Sequence, residues 1–360
     1  MIQVTKTQLP DQEKLLAYID RIYRAGWVAN SGELVRELQD KLEEYLGVRH
    51  VLPVANGTLA LQVAFKLLGL KGEVITSPFT FIATASSLVW EGLKPVFVDI
   101  DPKTFNLDPA AIEKAITPET CAILPVHVFG NPCDVEVIQG LANKQGLPVI
   151  YDAAHAFGVN YQGESLLRWG DVATLSFHAT KVFHTIEGGA LVIQDDDLYE
   201  QARKMINFGI TGPESIELLG INAKMNEFEA AMGLCLLDGV DATTAARKKI
   251  AQFYDNRLPA SLCRQRRRGG ATDNHGYHPV LFESEEALKA AQRLLLEDEI
   301  RPRRYFYPPL NELPFLGGGG QATPTASDIS RRILCLPIYP GLSVEDCGRV
   351  ADIIASVVGE

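Results

Sequence analysis

Between about residue 50 and residue 195, short apolar runs rich in β-branched residues alternate with helical stretches. That alternation belongs to strand–helix–strand crossover units and predicts an α/β fold, a mainly parallel sheet flanked by helices. The spacing predicts strands over residues 73–76, 95–99, 122–125, 148–152, 173–177 and 190–193. Helices are predicted over residues 58–68, 109–115 and 135–145, each punctuated by Gly or Pro. A long helical stretch begins near Asn226 and leads to a strand around residues 278–282, a helix over 285–297 and a closing helix over 344–358. This pattern divides the chain into a large domain over residues 1–245 and a smaller α+β domain over 246–360. Residues 317–320 are four consecutive glycines and read as a loop tip, because glycine loses too much backbone freedom inside an element.

Composition narrows the function classes. With 360 residues, 46% of them hydrophobic, the chain can bury a substantial core. A formal net charge of −11 argues against nucleic acid or an anionic membrane surface as the main partner, since both call for a broadly basic face. Cys121, Cys133, Cys235, Cys263, Cys335 and Cys347 are scattered without paired or metal-type spacing, so neither a disulfide framework nor a metal site is expected. With no signal-like start and no membrane-length apolar run, a cytoplasmic protein is the expectation.

Chemistry concentrates at two strand ends. Asp152 closes the apolar run of LPVIYDAAHAFG, and Lys181 follows 29 residues later in LSFHATKVFHTIEGGALVI. In open α/β sheets, active sites gather at the carboxyl ends of strands, where both residues are predicted to lie. A desolvated lysine and a strand-borne carboxylate are what pyridoxal phosphate (PLP) chemistry requires: the amine bonds the cofactor aldehyde, and the carboxylate keeps the ring nitrogen protonated. Asp at a strand-to-helix junction is also a common helix cap. His155 is spaced to contact the ring's phenolic oxygen. Asn56-Gly57-Thr58 opens a predicted helix, and together with Ser176 it offers amides and hydroxyls to a phosphate. Phe79 and Phe81 follow a strand end; by position Phe81 is the one to stack on a cofactor ring. A dinucleotide-type oxidoreductase is disfavoured because no GxGxxG follows the first strand.

The segments ANGTLAL, SPFTFIATASSLVWEGLKPVFVDID, YDAAHAFG, LSFHATK with EGGA, and GINAKMNEFEAAMGL together resemble, in order and spacing, the fold type I nucleotide-sugar aminotransferases of the DegT/StrS family. The likeness runs from Asn30-Ser31-Gly32 to LPIYPGLS. It implies a PLP enzyme that moves an amino group from L-glutamate to a dTDP- or UDP-linked keto sugar in amino-sugar and surface-polysaccharide synthesis. It also implies a homodimer with shared active sites. Residue by residue, it implies Lys181 as the cofactor lysine, Asp152 as the ring-nitrogen partner, His155 where many relatives carry glutamine, Gly57, Thr58 and Ser176 at the phosphate, and Phe81 on the ring face. Asn222 and Lys224 fall in a stretch that reaches the neighbouring subunit's phosphate, with lysine where arginine is usual. A branch of the family has lost the lysine and performs dehydration; here Lys181 is intact.

For an anionic nucleotide substrate, two basic clusters stand out: Arg264, Arg266, Arg267 and Arg268, and Arg301, Arg303 and Arg304. The second is interleaved with Tyr305 and Tyr307 and is favoured as the substrate contact. The RRYFYP stretch most resembles enzymes acting on dTDP-4-keto-6-deoxyglucose; a 3-keto sugar and a dehydratase on the same fold are the alternatives.

Overall fold

The computed structural model describes residues 1–316 and 322–358, so the glycine run expected as a loop tip lies outside the described residues. Strand β1 (Ile2–Gln3) is followed by helices α1 (Gln12–Ala25) and α2 (Glu33–Leu46). The alternation then runs β2 (His50–Val54), α3 (Gly57–Leu67), β3 (Glu73–Thr76), α4 (Ile82–Trp90), β4 (Lys94–Phe97), α5 (Pro109–Ala115), β5 (Thr120–Leu124), α6 (Val135–Gln145) and β6 (Ile150–Asp152). A small hairpin, β7 (Asn160–Tyr161) and β8 (Glu164–Ser165), precedes β9 (Val172–Ser176) and β10 (Gly189–Ile193). Helix α7 (Asp196–Met205) leads to a second hairpin, β11 (Ile210–Gly212) and β12 (Ser215–Ile216), and then to α8 (Glu227–Leu237) and α9 (Val240–Arg257). The chain closes with β13 (Pro279–Leu281), α10 (Glu285–Glu297), β14 (Ile300–Arg301), α11 (Pro324–Arg332), β15 (Ile333–Cys335) and α12 (Val344–Val358).

The central sheet has the order β2-β10-β9-β6-β5-β3-β4, its two halves joined by the parallel bridges Ile123–Val149 and Val126–Asp152. Every neighbouring pair is parallel except those of β10, which runs antiparallel to both β2 and β9. A direct loop return from β9, without a crossover helix, accounts for that one reversal. Both faces of the sheet are covered, which is why its strands read as continuous apolar runs. Val51, Ile123, Val149 and Tyr151 pack toward α2, α6 and α8, while Leu52, Leu124 and Ile150 pack toward α3 and α7. Each such fully buried aliphatic side chain contributes roughly 1.5–3 kcal/mol.

The helical stretch expected from Asn226 onward is two helices, parted at Asp238 and Gly239. Asn226 and Glu229 form a reciprocal capping box at the start of α8, an arrangement that stabilises a helix by about 1 kcal/mol. Helix α9 crosses the expected boundary at residue 245 without a break. Strand β1 pairs in parallel with β14, and Ile2 joins the C-terminal hydrophobic cluster of Ile250, Tyr254, Val280, Leu288, Ile300 and Val350. The first residues therefore pack with the C-terminal part, contrary to the division at 245. Among the described residues, no helix is long and apolar enough to cross a membrane.

Candidate active site

Strand ends build the site. β6 and β9 pair in parallel with Asp152 opposite Thr174, so Asp152 and Ser176 emerge from the same edge of the sheet. Between Ser176 and β10, the loop turns back through hydrogen bonds from the Lys181 amide to His178 O (2.9 Å) and from the Phe177 amide to Gly188 O (2.8 Å). These place Lys181 over the Asp152 end. Both residues line a cavity of about 250 Å³ together with Gly57, Thr58, Phe81, His155 and Ser176.

Asp152 is buried, and both carboxylate oxygens are engaged: Oδ2 accepts from Thr84 Oγ1 at 2.7 Å and Oδ1 from the Ala154 amide at 3.1 Å. Burial raises its pKa above the usual carboxylate range, against the lowering pull of these donors and of Lys181. A carboxylate in that condition favours a cationic N–H partner. The Lys181 side chain is only partly buried by area, but its amine is strongly desolvated, and this brings its pKa down to about 8 against the opposing pull of Asp152. At neutral pH an appreciable fraction of the amine is therefore neutral and nucleophilic.

The anion end is built on α3. The Asn56 side chain caps the Leu59 amide at 2.9 Å, leaving the Gly57 and Thr58 amides ahead of the first helical hydrogen bonds at the positive end of the helix dipole. A β-carbon on Gly57 would lie 3.0 Å from Ser176 Cβ, so this glycine brings the helix start against the β9 end. The pair Gly188-Gly189 serves the protein's own packing. A β-carbon on Gly188 would overlap Thr185 Oγ1, and one on Gly189 would come within 2.7 Å of the Gly57 nitrogen.

Among the walls, half-exposed Phe81 faces the cavity, whereas Phe79 lies in the core, edge-on to Phe105, Phe129 and Phe306. The His155 ring lies nearly parallel to those of Phe129 and Phe306, the three centroids about 6 Å from one another, and its Nδ1 accepts from the Phe129 amide at 3.2 Å. Burial holds its pKa well below the imidazole norm, so the ring is neutral with its proton on Nε2.

The basic clusters divide. Arg303 and Tyr305 line the cavity, the guanidinium lying 4.7 Å over the tyrosine ring. Arg304 and Tyr307, expected beside the substrate, lie outside it: Arg304 donates to Glu285 Oε1 (3.0 Å) and Arg331 O (2.8 Å) and stacks on Tyr307. The chain is extended where Arg303 bridges Cys335, so successive side chains diverge. In the other cluster Arg268 pairs with Asp134 and Glu136 and Arg267 with Asp273, while Arg266 is exposed; none of its arginines lines this cavity. Asn222 is exposed and Lys224 donates to Asn207 Oδ1 at 2.8 Å; neither lines this cavity. Among the wall residues without an individual reading from sequence are Thr84, Tyr277 and Phe306. For Thr84 a signal existed, because Thr80 and Thr84 repeat at helical spacing and hydrogen-bond at 2.9 Å beneath Asp152.

A known family shares this arrangement. The DegT/DnrJ/EryC1/StrS aminotransferase family matches residues 10–355. The chain belongs to that family. A dTDP-4-amino-4,6-dideoxy-D-glucose transaminase of Shigella dysenteriae is 43% identical, covering 100% of this chain and 98% of the relative. A protein of the same name from Escherichia coli is 38% identical, covering 98% of each. The crystal structure of DesI in the presence of its TDP-sugar product superimposes with a TM-score of 0.93 at 34% identity, covering 99% of this chain and 93% of that one. The fold is thus that of the PLP-dependent sugar aminotransferases, and the cofactor of this aminotransferase is PLP.

The residues present fit that cofactor. A desolvated amine, a buried carboxylate and a helix start whose first amides precede the helical hydrogen bonds stand around one cavity, in keeping with an aldehyde, a ring nitrogen and a phosphate. Arg303 and Arg304 are expected to behave oppositely. Arg303→Ala raises a substrate KM by about tenfold or more, the value of a charge-assisted hydrogen bond. Arg304→Ala leaves KM unchanged and lowers Tm, as steady-state kinetics and thermal melts will show.

Proposed function

We propose that this aminotransferase moves the amino group of L-glutamate onto C4 of dTDP-4-keto-6-deoxyglucose. The observation that carries this reading is full-length similarity, at 43% and 38% identity, to two proteins named for the corresponding amino-sugar product. An intact Lys181 facing Asp152 supports transamination over dehydration.

Bound PLP supplies an electrophilic aldehyde and a ring that accepts electrons from the substrate carbon. Lys181 would hold the cofactor through its amine and, when that amine is free, would carry the substrate's proton. Asp152 keeps its charge against the ring nitrogen, steadied by Thr84 and the Ala154 amide. Gly57, Thr58 and Ser176 would hold the phosphate, Phe81 would cover the ring face, and His155 would offer its Nε2 proton to the phenolic oxygen. Arg303 and Tyr305 take the substrate's anionic and sugar groups.

The assembly is proposed to be a homodimer with shared sites. Phe208, Ile210, Ile216, Leu219 and Ile221 leave an exposed apolar surface beside Asn222 and Lys224, which would reach the neighbour's phosphate. Six free cysteines support a reducing, cytoplasmic setting.

The test is a panel of dTDP-, UDP- and GDP-linked 3- and 4-keto sugars with L-glutamate, read by mass spectrometry. The expected result is the amino sugar and 2-oxoglutarate from the dTDP-linked 4-keto sugar. Preference for another nucleotide or keto position, or loss of water without 2-oxoglutarate, overturns the reading.

A further inference from the structure

Tyr277 lies in a segment remote in sequence from every cofactor candidate, yet its hydroxyl accepts a hydrogen bond from Lys181 Nζ at 3.3 Å. Among the described residues, no other hydrogen bond from that amine is seen. The ring packs on His155 (centroids 4.5 Å apart) and Phe129 (5.3 Å), and edge-on to Tyr305 (5.5 Å). Its backbone is fixed from two sides. Asn274, buried, donates to His155 O (2.9 Å) and Phe157 O (3.0 Å) and accepts from the Gly276 amide at 3.1 Å. From α9, the buried Arg247 donates to Gly276 O (3.4 Å) and Ile338 O (2.8 Å). The hydroxyl is thus delivered to the lysine by a rigid support tied to the same loop that carries Asp152 and His155.

We propose that Tyr277 is a positioning residue for Lys181: its hydroxyl holds the lysine amine whenever that amine is not bonded to the cofactor, and aims it at the substrate carbon whose proton it carries. A hydroxyl suits this task because it accepts from an ammonium and donates to a neutral amine, and so serves both states of a proton carrier. Burial raises the phenol's pKa, which keeps the hydroxyl protonated throughout. The charged or titratable groups around it are Lys181, Asp152, His155, Arg247, Arg303, Tyr305 and Cys335. Of these, the Asp152 charge favours the ammonium form of Lys181, and the Tyr277 hydroxyl, accepting from the amine as it stands, is expected to act in the same sense.

The inference rests on the aminotransferase reading, and Tyr277→Phe tests it separately because the ring and its packing remain. The first readout needs neither cofactor nor substrate: the pH dependence of Lys181 labelling by an amine-reactive reagent in cofactor-free protein, followed on its peptide by mass spectrometry. The labelling midpoint, expected near pH 8 in the parent because desolvation lowers the amine's pKa to about 8, should move to lower pH once the hydroxyl no longer accepts from the ammonium. The second readout is turnover: kcat falls about 10- to 100-fold with KM changed less than about threefold, the pattern of a misaimed group. Tyr277→Leu, which also removes the ring, is expected to be worse than Tyr277→Phe. An unshifted labelling midpoint overturns the proposal, as does a shifted midpoint with parental kcat. A parent enzyme that aminates no keto sugar overturns the substrate reading, while the labelling profile still judges Tyr277.

Discussion

Lys181→Ala is expected to lower kcat by roughly 10⁴-fold or more while leaving the fold intact, because one side chain supplies both the covalent anchor for the cofactor and the proton carrier. The loss should exceed that of any other single change, since among the described residues no second lysine lines the cavity. Removing a desolvated amine leaves no buried charge behind that Thr84 and the Ala154 amide cannot attend to, so the variant should purify as a folded protein. The parent supplies a matching pH signature. Desolvation lowers the amine's pKa to about 8, so the rate of PLP capture by cofactor-free protein rises with pH up to about 8 and then levels. A lysine with its ordinary pKa of about 10.4 would instead keep accelerating to about pH 10. Stopped-flow absorbance across that range distinguishes the two, and near-parental kcat in Lys181→Ala would remove Lys181 from its role.

Asp152→Asn is expected to produce the second largest loss, and in this case activity and stability move in different directions. An opposite charge beside an ionisable nitrogen shifts its pKa by roughly 1–3 units, so loss of the carboxylate charge lowers kcat by roughly 10- to 10³-fold. The amide keeps the shape and can still accept from Thr84 or from the Ala154 amide. Because burial raises the Asp152 pKa in the folded protein, the associated stability is present below the unfolded value of about 3.9 and is lost as pH rises through the folded value. Above that window, cofactor-free Asp152→Asn should melt at a temperature no lower than the parent. A strongly active variant, or one much less stable than the parent, would contradict this account of the site.

Legibility from sequence followed how local the cause was. The strands from β3 to β6 and β9 to β10 announced themselves as apolar runs between helices because both sheet faces are buried. Strand β2 did not: its sequence HVLPV contains Pro53, and it is a strand because it pairs along its length with β10. Helix α4 was also missed, since IATASSLVW is dense in Thr and Ser, residues that weaken helices unless their hydroxyls are employed. Two of them are, Thr84 on Asp152 and Ser87 on the Thr84 carbonyl. In the site, the residues carried by strand ends and their first loops were readable because strand termini fix them: Asp152, Ser176, Lys181, Gly57 and Thr58 line one cavity. Arg304 and Tyr307 misled, because a basic and aromatic segment was read as one surface when its extended backbone sends neighbours apart. Tyr277 was beyond local reading, since its meeting with Lys181 depends on Arg247 and Asn274 docking one segment onto another.

The most direct measurement is peptide mapping after borohydride treatment of the PLP-loaded protein. The account predicts that reduction fixes one phosphopyridoxyl group per chain on the peptide carrying Lys181. A label on another lysine, or none at all in protein that has taken up the cofactor, would contradict it.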